Sequence, residues 1–592
     1  MTRPIDTARL IALAAFAAAI ALLFAARWEA LAAFSFADPD DVLRLVQVRD
    51  LIGGQGWFDV GQARIDPPGG GDMHWSRLID APIAALILFA RPLVGGHGAE
   101  LFAVTAWPFA LLTGTAILLQ RLGRLLESPL LGAATLIVFA LAPLSLMQFA
   151  PTRIDHHGAQ ALLALAALGA LLGLRDWRGG ALAGLALAAH ANISIEALPY
   201  MLLFGGVLAL DWLRAGRSDH AAGQRLASYV ATLALAGTAL LAATHGGRVL
   251  FGSYCDALSA PYAAALLVAA PGVAVAVMLG SRLGWPMRLL LLALAGAAAL
   301  AALGLVAPKC LGGPFEALPP RVAELWYANV REGVPVWRQD RDLMLASVLP
   351  SLVGLAGLLL GWRRSDGEAR HRWARLLLIA GGAVLLSLML MRAVYVAHLF
   401  VAPGIALLFL AAWRRARALA SPALRILATV ATLLVLPAPL AAAALALGKI
   451  GSAGAAAPVK GAGLSEQCPD ARSLAPLAAL PAQTIFAPLD IGPDILLATP
   501  HSVIATGHHR NAAAMDRVIN AYLADPATAL RLIRETPATL IVLCPRLPEI
   551  DVYRKRAPQG LAARLVGGRA PDWAEPLPQP KGSQIKAWRI RS

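Results

Sequence analysis

Charge is scarce in this chain, and so are nucleotide-binding motifs, internal repeats and cysteine. Only 15% of the 592 residues are Asp, Glu, Lys or Arg, against 58% apolar residues, and the mean hydropathy is +0.64. That balance excludes an ordinary water-soluble protein, even one of several domains, because the apolar residues exceed what soluble cores can hold and must face lipid. No P-loop or Rossmann fingerprint is present, so nothing marks a nucleotide site on the inner side. No repeat relates one part of the chain to another, as it often does in transporters. The first apolar run, Leu10 to Ala26, is followed by Arg27-Trp28-Glu29. No small-residue cleavage site is there, so the run is read as a retained helix and not a signal peptide.

What is abundant is the long apolar run. Stretches able to cross roughly 30 Å of hydrocarbon fall near 8–28, 100–120, 129–149, 159–174, 181–196, 197–213, 226–245, 258–280, 286–306, 343–361, 374–391, 393–412 and 423–447. The expected fold class is therefore a polytopic α-helical membrane protein of about thirteen spans. The formal charge of +15 comes from bases clustered in short loops, which is topology and not a polyanion site; no nucleic-acid partner is expected. With the N-terminus inside, Arg121/Arg124, Arg175/Arg178, Arg214/Arg217/Arg225, Arg282/Arg288, the group Arg363 to Arg375 and the group Arg414 to Arg425 all fall on the cytoplasmic side. Counting Ala81 to Val94 as a span would invert every later cluster. That stretch is short and carries Pro82, Arg91 and Pro92, so it is expected to be a re-entrant or interfacial piece of the first outer loop.

This topology divides the chain into a membrane domain (1–450), with outer loops 29–99, 149–158 and 308–342, a small-residue linker (451–463) and an outer domain (464–592). Thr484-Ile-Phe-Ala, His501-Ser-Val-Ile-Ala and Thr539-Leu-Ile-Val-Leu read as short buried strands, with helices over Ala512 to Ala524 and Pro526 to Glu535, so a small α/β domain is expected. All four cysteines fall on the outer side. An oxidising compartment would permit Cys468–Cys544 and Cys255–Cys310, though four cysteines allow three pairings.

The polar residues able to do chemistry gather in the same outer loops. Asp38, Asp40 and Asp41 lie just beyond the first span, where a bound cation or a role as general base would relieve their repulsion; alternatively Asp40 or Asp41 caps a helix through Arg49. Asp155, His156 and His157 open the next outer loop's helix, and carboxylate plus imidazole can hold Mn²⁺ or Mg²⁺. His74 would complete a set of Asp38, His74, Asp155 and His157, unless it is an interfacial histidine beside Trp75. Arg392 ends an apolar run, where it would either bind a lipid phosphate bidentately or snorkel to headgroups. Glu196, between two apolar runs, is assigned no role.

In layout the chain resembles the catalytic subunit of oligosaccharyltransferases, the archaeal and bacterial single-subunit enzymes of the GT-C glycosyltransferase class. Asp38-Pro39 with Arg44 resembles their first acidic motif, and Asp155-His156-His157 the second in its archaeal form. His74 stands where archaeal members have an additional metal-binding histidine. Asn329-Val-Arg-Glu-Gly-Val-Pro335 is similar to the family's Thr-Ile-x-Glu segment, which makes Glu332 a candidate to bridge metal and acceptor. Pro488-Leu-Asp-Ile-Gly492 occupies the place of the Trp-Trp-Asp-Tyr-Gly signature, with Asp490 and Gly492 kept and the tryptophans and tyrosine absent. His509-Arg-Asn511 follows in a similar order. The resemblance implies metal-assisted sugar or oligosaccharide transfer from a polyprenyl-linked donor at the outer face of the bacterial inner membrane, to a glycan, lipid or protein acceptor, with the C-terminal domain periplasmic. An acid from Asp38, Asp40 or Asp41 would orient or deprotonate the acceptor, and Arg392 would stabilise the leaving phosphate. The alternatives are a GT-C monosaccharide transferase acting on lipid A, a polysaccharide or another lipid, and a transporter or flippase.

Overall fold

The computed structural model describes residues 4–216, 219–316, 318–450, 471–580 and 583–591. A helix stands at each of the thirteen expected places: Pro4–Ala32, Arg77–Leu126, Pro129–Ala140 with Pro143–Leu146, His157–Gly173, Trp177–Ile193, Ala197–Arg214, His220–Leu250, Ala260–Gly280, Trp285–Val306, Arg341–Arg364, Gly367–Met389, Val394–Arg417 and Pro422–Ala431 with Pro437–Ile450. Among the described residues, nine single helices are long and apolar enough to cross a bilayer, and two further positions are bent pairs, at 75° and 95°. The protein is a multi-pass membrane protein. Its breaks fall where Pro143 and Pro437 each begin a new helix, because proline lacks the N–H that would continue the old one.

The stretch Ala81 to Val94, expected as a re-entrant or interfacial piece of the first outer loop, is helical: it lies in an arm that begins at Arg77 under a Ser76 cap and is set off at Gly95, where φ is 73°, from a second arm that ends at Leu126. That left-handed value is one that glycine alone adopts without strain.

Contacts at the two ends support the loop assignment. At one end Arg375 pairs with Asp211 at 2.7 Å, Arg372 donates to the Leu125 carbonyl at 3.1 Å, and Arg288 donates to those of Trp212 and Ala215 at 2.9 Å. The bases of separate short loops thus gather on one side. In the middle, helix Val394–Arg417 is the most enclosed span. It crosses Arg341–Arg364 so closely that a side chain at Gly357 would run into the backbone of Gly404. Lipid tails supply no hydrophobic drive between helices, so such small-residue contacts hold the bundle together.

At the opposite end sits the soluble domain. Its five-stranded sheet has the order β2-β1-β3-β5-β4, with β1 Thr484–Phe486, β2 Ser502–Val503, β3 Leu540–Leu543, β4 Ala574–Pro576 and β5 Lys586–Ile590. β1 pairs parallel with β2 and β3, and β5 pairs antiparallel with β3 and β4. The three expected strands and the helices Ala512–Leu523 and Pro526–Arg534 are all present.

The membrane part enters this domain's core. Leu43, Val46, Val60, Ile65, Met73 and Trp75 of the first outer loop and Val322 pack with the domain's own apolar residues. Backbone bonds from Asp66 N–H to Val503 and from Val503 N–H to Arg64, at 2.9 and 2.8 Å, add one rung beyond β2. A disulfide joins Cys255 to Cys310, one of the two pairings expected. The linker 451–463 and Cys468 of the other pairing lie outside the described residues.

Candidate active site

The first acidic cluster begins with a helix cap. Asp38, and neither Asp40 nor Asp41, caps helix Pro39–Ile52, accepting the Asp40 N–H at 3.0 Å. Pro39 at the first helical position suits this start, since its missing N–H costs nothing there. Beyond the cap the helix is buried all round from Asp41 to Val48.

Asp41 reaches the second cluster. Its Oδ1 accepts the Ile154 and Asp155 N–H groups at 2.7 and 2.8 Å. The Arg153 guanidinium contacts Asp38 at 2.6 Å, Asp41 at 3.2 Å and Asp155 at 3.0 Å. Asp38, Asp41 and Asp155 therefore bring ligand oxygens within 4.8 Å of one another, although they come from two segments far apart in sequence. Just before them Thr152 has φ 73°, an unfavourable conformation for a β-branched residue. It is held by its N–H bond to Val104 at 2.9 Å and by Arg27, which donates to its hydroxyl at 2.8 Å.

Charge in this group is only partly balanced. Burial works against ionised Asp155, but Arg153 and His157 outweigh it and hold the carboxyl well below the usual range. Burial pushes Asp41 up against the pull of Arg153. Asp40 is pushed up to about 8, by burial first and then by the charges of Asp38 and Glu332.

His157 and Glu332 join the same site. His157 Nδ1 lies 2.7 Å from Asp155, while Nε2 is buried, has no hydrogen-bond partner and stands 3.8 Å from Glu332. Arg392 does not snorkel; it pairs with Glu196 at 2.5 Å and Glu332 at 3.2 Å. Glu196 also accepts from Gln160 at 3.3 Å, and Gln160 in turn accepts the Tyr395 hydroxyl at 2.7 Å. Burial opposes the charge on Glu196, but Arg392 prevails and lowers its carboxyl to about 2. Behind the carboxylates, Arg44 is engaged with Asp80 at 2.8 Å and lies over the Trp75 ring at 4.4 Å. It braces the helix and does not face the site.

Asp490 approaches from the soluble domain. Burial and then the charge of Asp38 raise its carboxyl to about 6. Its N–H and that of Leu489 are both accepted by Glu549, at 2.9 Å each. Gly492 is small of necessity, since a side chain there would press on the Ala505 carbonyl.

One expected member stands elsewhere. His74 groups with Asp256 and His509 and not with Asp38, Asp155 and His157. Its loop is drawn into the soluble domain's core through Met73 and Trp75, and this carries the imidazole away from the carboxylates. The sequence did not single out Arg153 or Asp256, and it gave Glu196 no role. Arg153 stood in plain view inside Thr152-Arg-Ile-Asp155, a base between two acidic motifs. Asp256 had no signal except its neighbour Cys255.

Taken together, these elements define a polytopic helical membrane fold with a C-terminal mixed-sheet domain. No protein-family model matches the chain, and no curated protein sequence matches it. Among solved structures, the chain has the fold of an archaeal oligosaccharyltransferase, AglB from Archaeoglobus fulgidus. With that protein in complex with an inhibitory peptide and a dolichol-phosphate, the TM-score is 0.65 at 14% identity, covering 98% of this chain and 74% of the other. With the A. fulgidus enzyme in the apo form it is 0.63 at 15% identity, over 92% and 71%. With the form tethered to an acceptor peptide containing an NVT sequon it is 0.60 at 14%, over 93% and 72%.

Proposed function

We propose that this protein is a membrane glycosyltransferase that moves a sugar or oligosaccharide from a polyprenyl-phosphate or polyprenyl-diphosphate carrier to an acceptor at the outer face, in a bacterial inner membrane with the C-terminal domain periplasmic. The observation that carries this reading is the meeting of Asp38, Asp41 and Asp155, from two separate loops, with Arg392 linked to the group through Glu332, which stands 3.8 Å from His157. The solved structures of similar fold were obtained with a dolichol-phosphate and with an acceptor peptide, which supports a lipid-linked donor.

A divalent ion suits the three carboxylates. Their oxygens lie within 4.8 Å of one another, the buried Nε2 of His157 lacks a partner, and oxygen donors with one imidazole suit Mn²⁺ or Mg²⁺. A solved structure of similar fold holds zinc and sulfate. Asp38, Asp41, Asp155 and His157 would hold the ion, which when bound would supply charge stabilisation to a leaving phosphate. Arg392 lies where a guanidinium can meet the carrier's phosphate from the membrane side, exchanging Glu196 or Glu332 for it. An acid from Asp38, Asp40 or Asp41 would orient or deprotonate the acceptor. Asp490, whose carboxyl feels the charge of Asp38, and Gly492 would contribute to holding the acceptor.

A second reading of the acceptor follows from Pro488-Leu-Asp-Ile-Gly492. Without the aromatic residues of the Trp-Trp-Asp-Tyr-Gly signature, a non-protein acceptor such as lipid A or a polysaccharide, taking a single sugar, is favoured over a protein asparagine. A transporter would place its ionisable groups near mid-membrane, whereas these lie at loop ends.

Purified full-length protein with Mn²⁺ and a polyprenyl-linked sugar donor tests the reading. Sugar release lost in Asp155→Ala is expected, and unchanged turnover would reject the assignment. Mass spectrometry of envelope glycoconjugates, with and without the gene, would name the acceptor.

A further inference from the structure

A second cluster of ligating side chains lies away from the carboxylates. His74 belongs to the first outer loop, Asp256 to the segment between helices His220–Leu250 and Ala260–Gly280, and His508 and His509 to the soluble domain. His509 Nε2 is 2.7 Å from Asp256, and His74 Nδ1 is 3.8 Å from the same carboxylate oxygen. The three imidazoles pack together, with ring centres 5.1 Å apart for His74 and His508, 5.2 Å for His74 and His509 and 5.0 Å for His508 and His509.

Ring packing does not explain the nitrogens. His508 is 3% exposed, yet neither of its ring nitrogens has a hydrogen-bond partner, and Nδ1 of His74 has none either. A buried imidazole nitrogen left without a partner is destabilising, because it has given up its bond to water for nothing. Three such atoms side by side would be an unusual expense unless something else binds them. The surroundings fit an ion. Arg510 holds both oxygens of Asp256, at 2.7 and 3.0 Å, and lies over the Tyr254 ring at 4.2 Å. It fixes the carboxylate as an outer-sphere partner does, and Asp72, 3.6 Å from Arg510, offsets part of its charge.

We propose that His74, Asp256 and His509, with His508 able to complete the set, form a second metal site that takes a transition-metal ion of the zinc type. Imidazole nitrogens with one carboxylate suit zinc and disfavour magnesium or calcium, which take oxygen donors. Such an ion clamps the soluble domain to two loops of the membrane part. One of these loops is already tied by Cys255–Cys310 to the outer segment that carries Glu332. The site is independent of the transferase reading and of the ion at Asp38, Asp41 and Asp155.

The test uses full-length protein in detergent, stripped with chelator and titrated with Zn²⁺ while calorimetry and zinc-edge X-ray absorption are recorded. The wild-type protein is expected to bind Zn²⁺ with the scattering signature of two or more imidazoles. The Asp38→Asn/Asp155→Asn variant is expected to keep that signature, and His74→Ala and His509→Gln to lose it. Folded wild-type protein that takes up no Zn²⁺, or holds it through oxygen donors alone, overturns the proposal without any variant. Loss of the signature in Asp38→Asn/Asp155→Asn with retention in the histidine variants overturns it as well.

Discussion

Asp41 holds the main chain of Asp155: its Oδ1 accepts the Asp155 N–H at 2.8 Å across 114 residues of sequence. The first acidic motif is therefore part of the framework that positions the second. Asp41→Ala leaves two buried N–H groups unpaired and removes one of the three carboxylates around Arg153. It should cost about 3 kcal/mol, read as a lowered melting midpoint in detergent. Asp41→Asn keeps an acceptor oxygen and should melt closer to the parent while losing turnover. An alanine variant as stable as the parent would show that the latch does not exist.

Chelation provides a second test. Protein stripped of divalent ions should lose sugar transfer and regain it on adding Mn²⁺ or Mg²⁺. Asp155→Asn should not be rescued at any concentration. Full turnover in chelator would remove the ion from the mechanism.

Arg392 carries the third prediction. Truncation to alanine should raise KM for the lipid-linked donor by roughly thirtyfold, about 2 kcal/mol, as expected for the loss of one partner of a desolvated charge pair. Arg392→Lys should recover part of this, because it keeps the charge and loses the fork. A donor KM unchanged in both variants would mean that the phosphate binds elsewhere.

The fourth prediction concerns pH. In the folded domain the carboxyls of Asp490, Asp494 and Glu549 are pushed up to about 6, 7 and 8, by burial first, then by Asp38 for Asp490 and by Asp490 for the other two. Unfolded, such groups ionise near 4. The folded state keeps protons that the unfolded chain gives up, so stability present below about pH 4 is lost progressively as pH rises towards about 8. Glu549→Gln removes one of these contributions, so its melting midpoint should rise relative to the parent's as pH goes from about 5 to about 8. A constant offset between variant and parent over that window would contradict the shift at Glu549.

Much of this was legible from residues alone, and what was hidden has physical causes. Each of the thirteen apolar runs is helical among the described residues, two of them as bent pairs, and arginine asymmetry put Asp38 and Asp155 on one side. The bend at Gly95 was hidden, since a single glycine in an apolar run marks no direction. β4 and β5 were also missed: Ala574–Pro576 contains a proline, and Lys586–Ile590 mixes basic and apolar residues, so neither looks like a buried strand. His74 was assigned to the wrong neighbours because sequence gave the side of the membrane but not the pull of Met73 and Trp75 into the soluble core. Glu196 looked idle until Arg392, 196 residues later, was seen to contact it.

The rung that residues 64–66 add beside β2 bears on how this protein can be handled. A fragment beginning after the last span would lack that neighbour, leaving a bare strand edge next to the gap vacated by Val60, Ile65, Met73 and Trp75. Such a surface invites association between copies, so a truncated C-terminal piece should be recovered as aggregate unless the first loop is supplied with it.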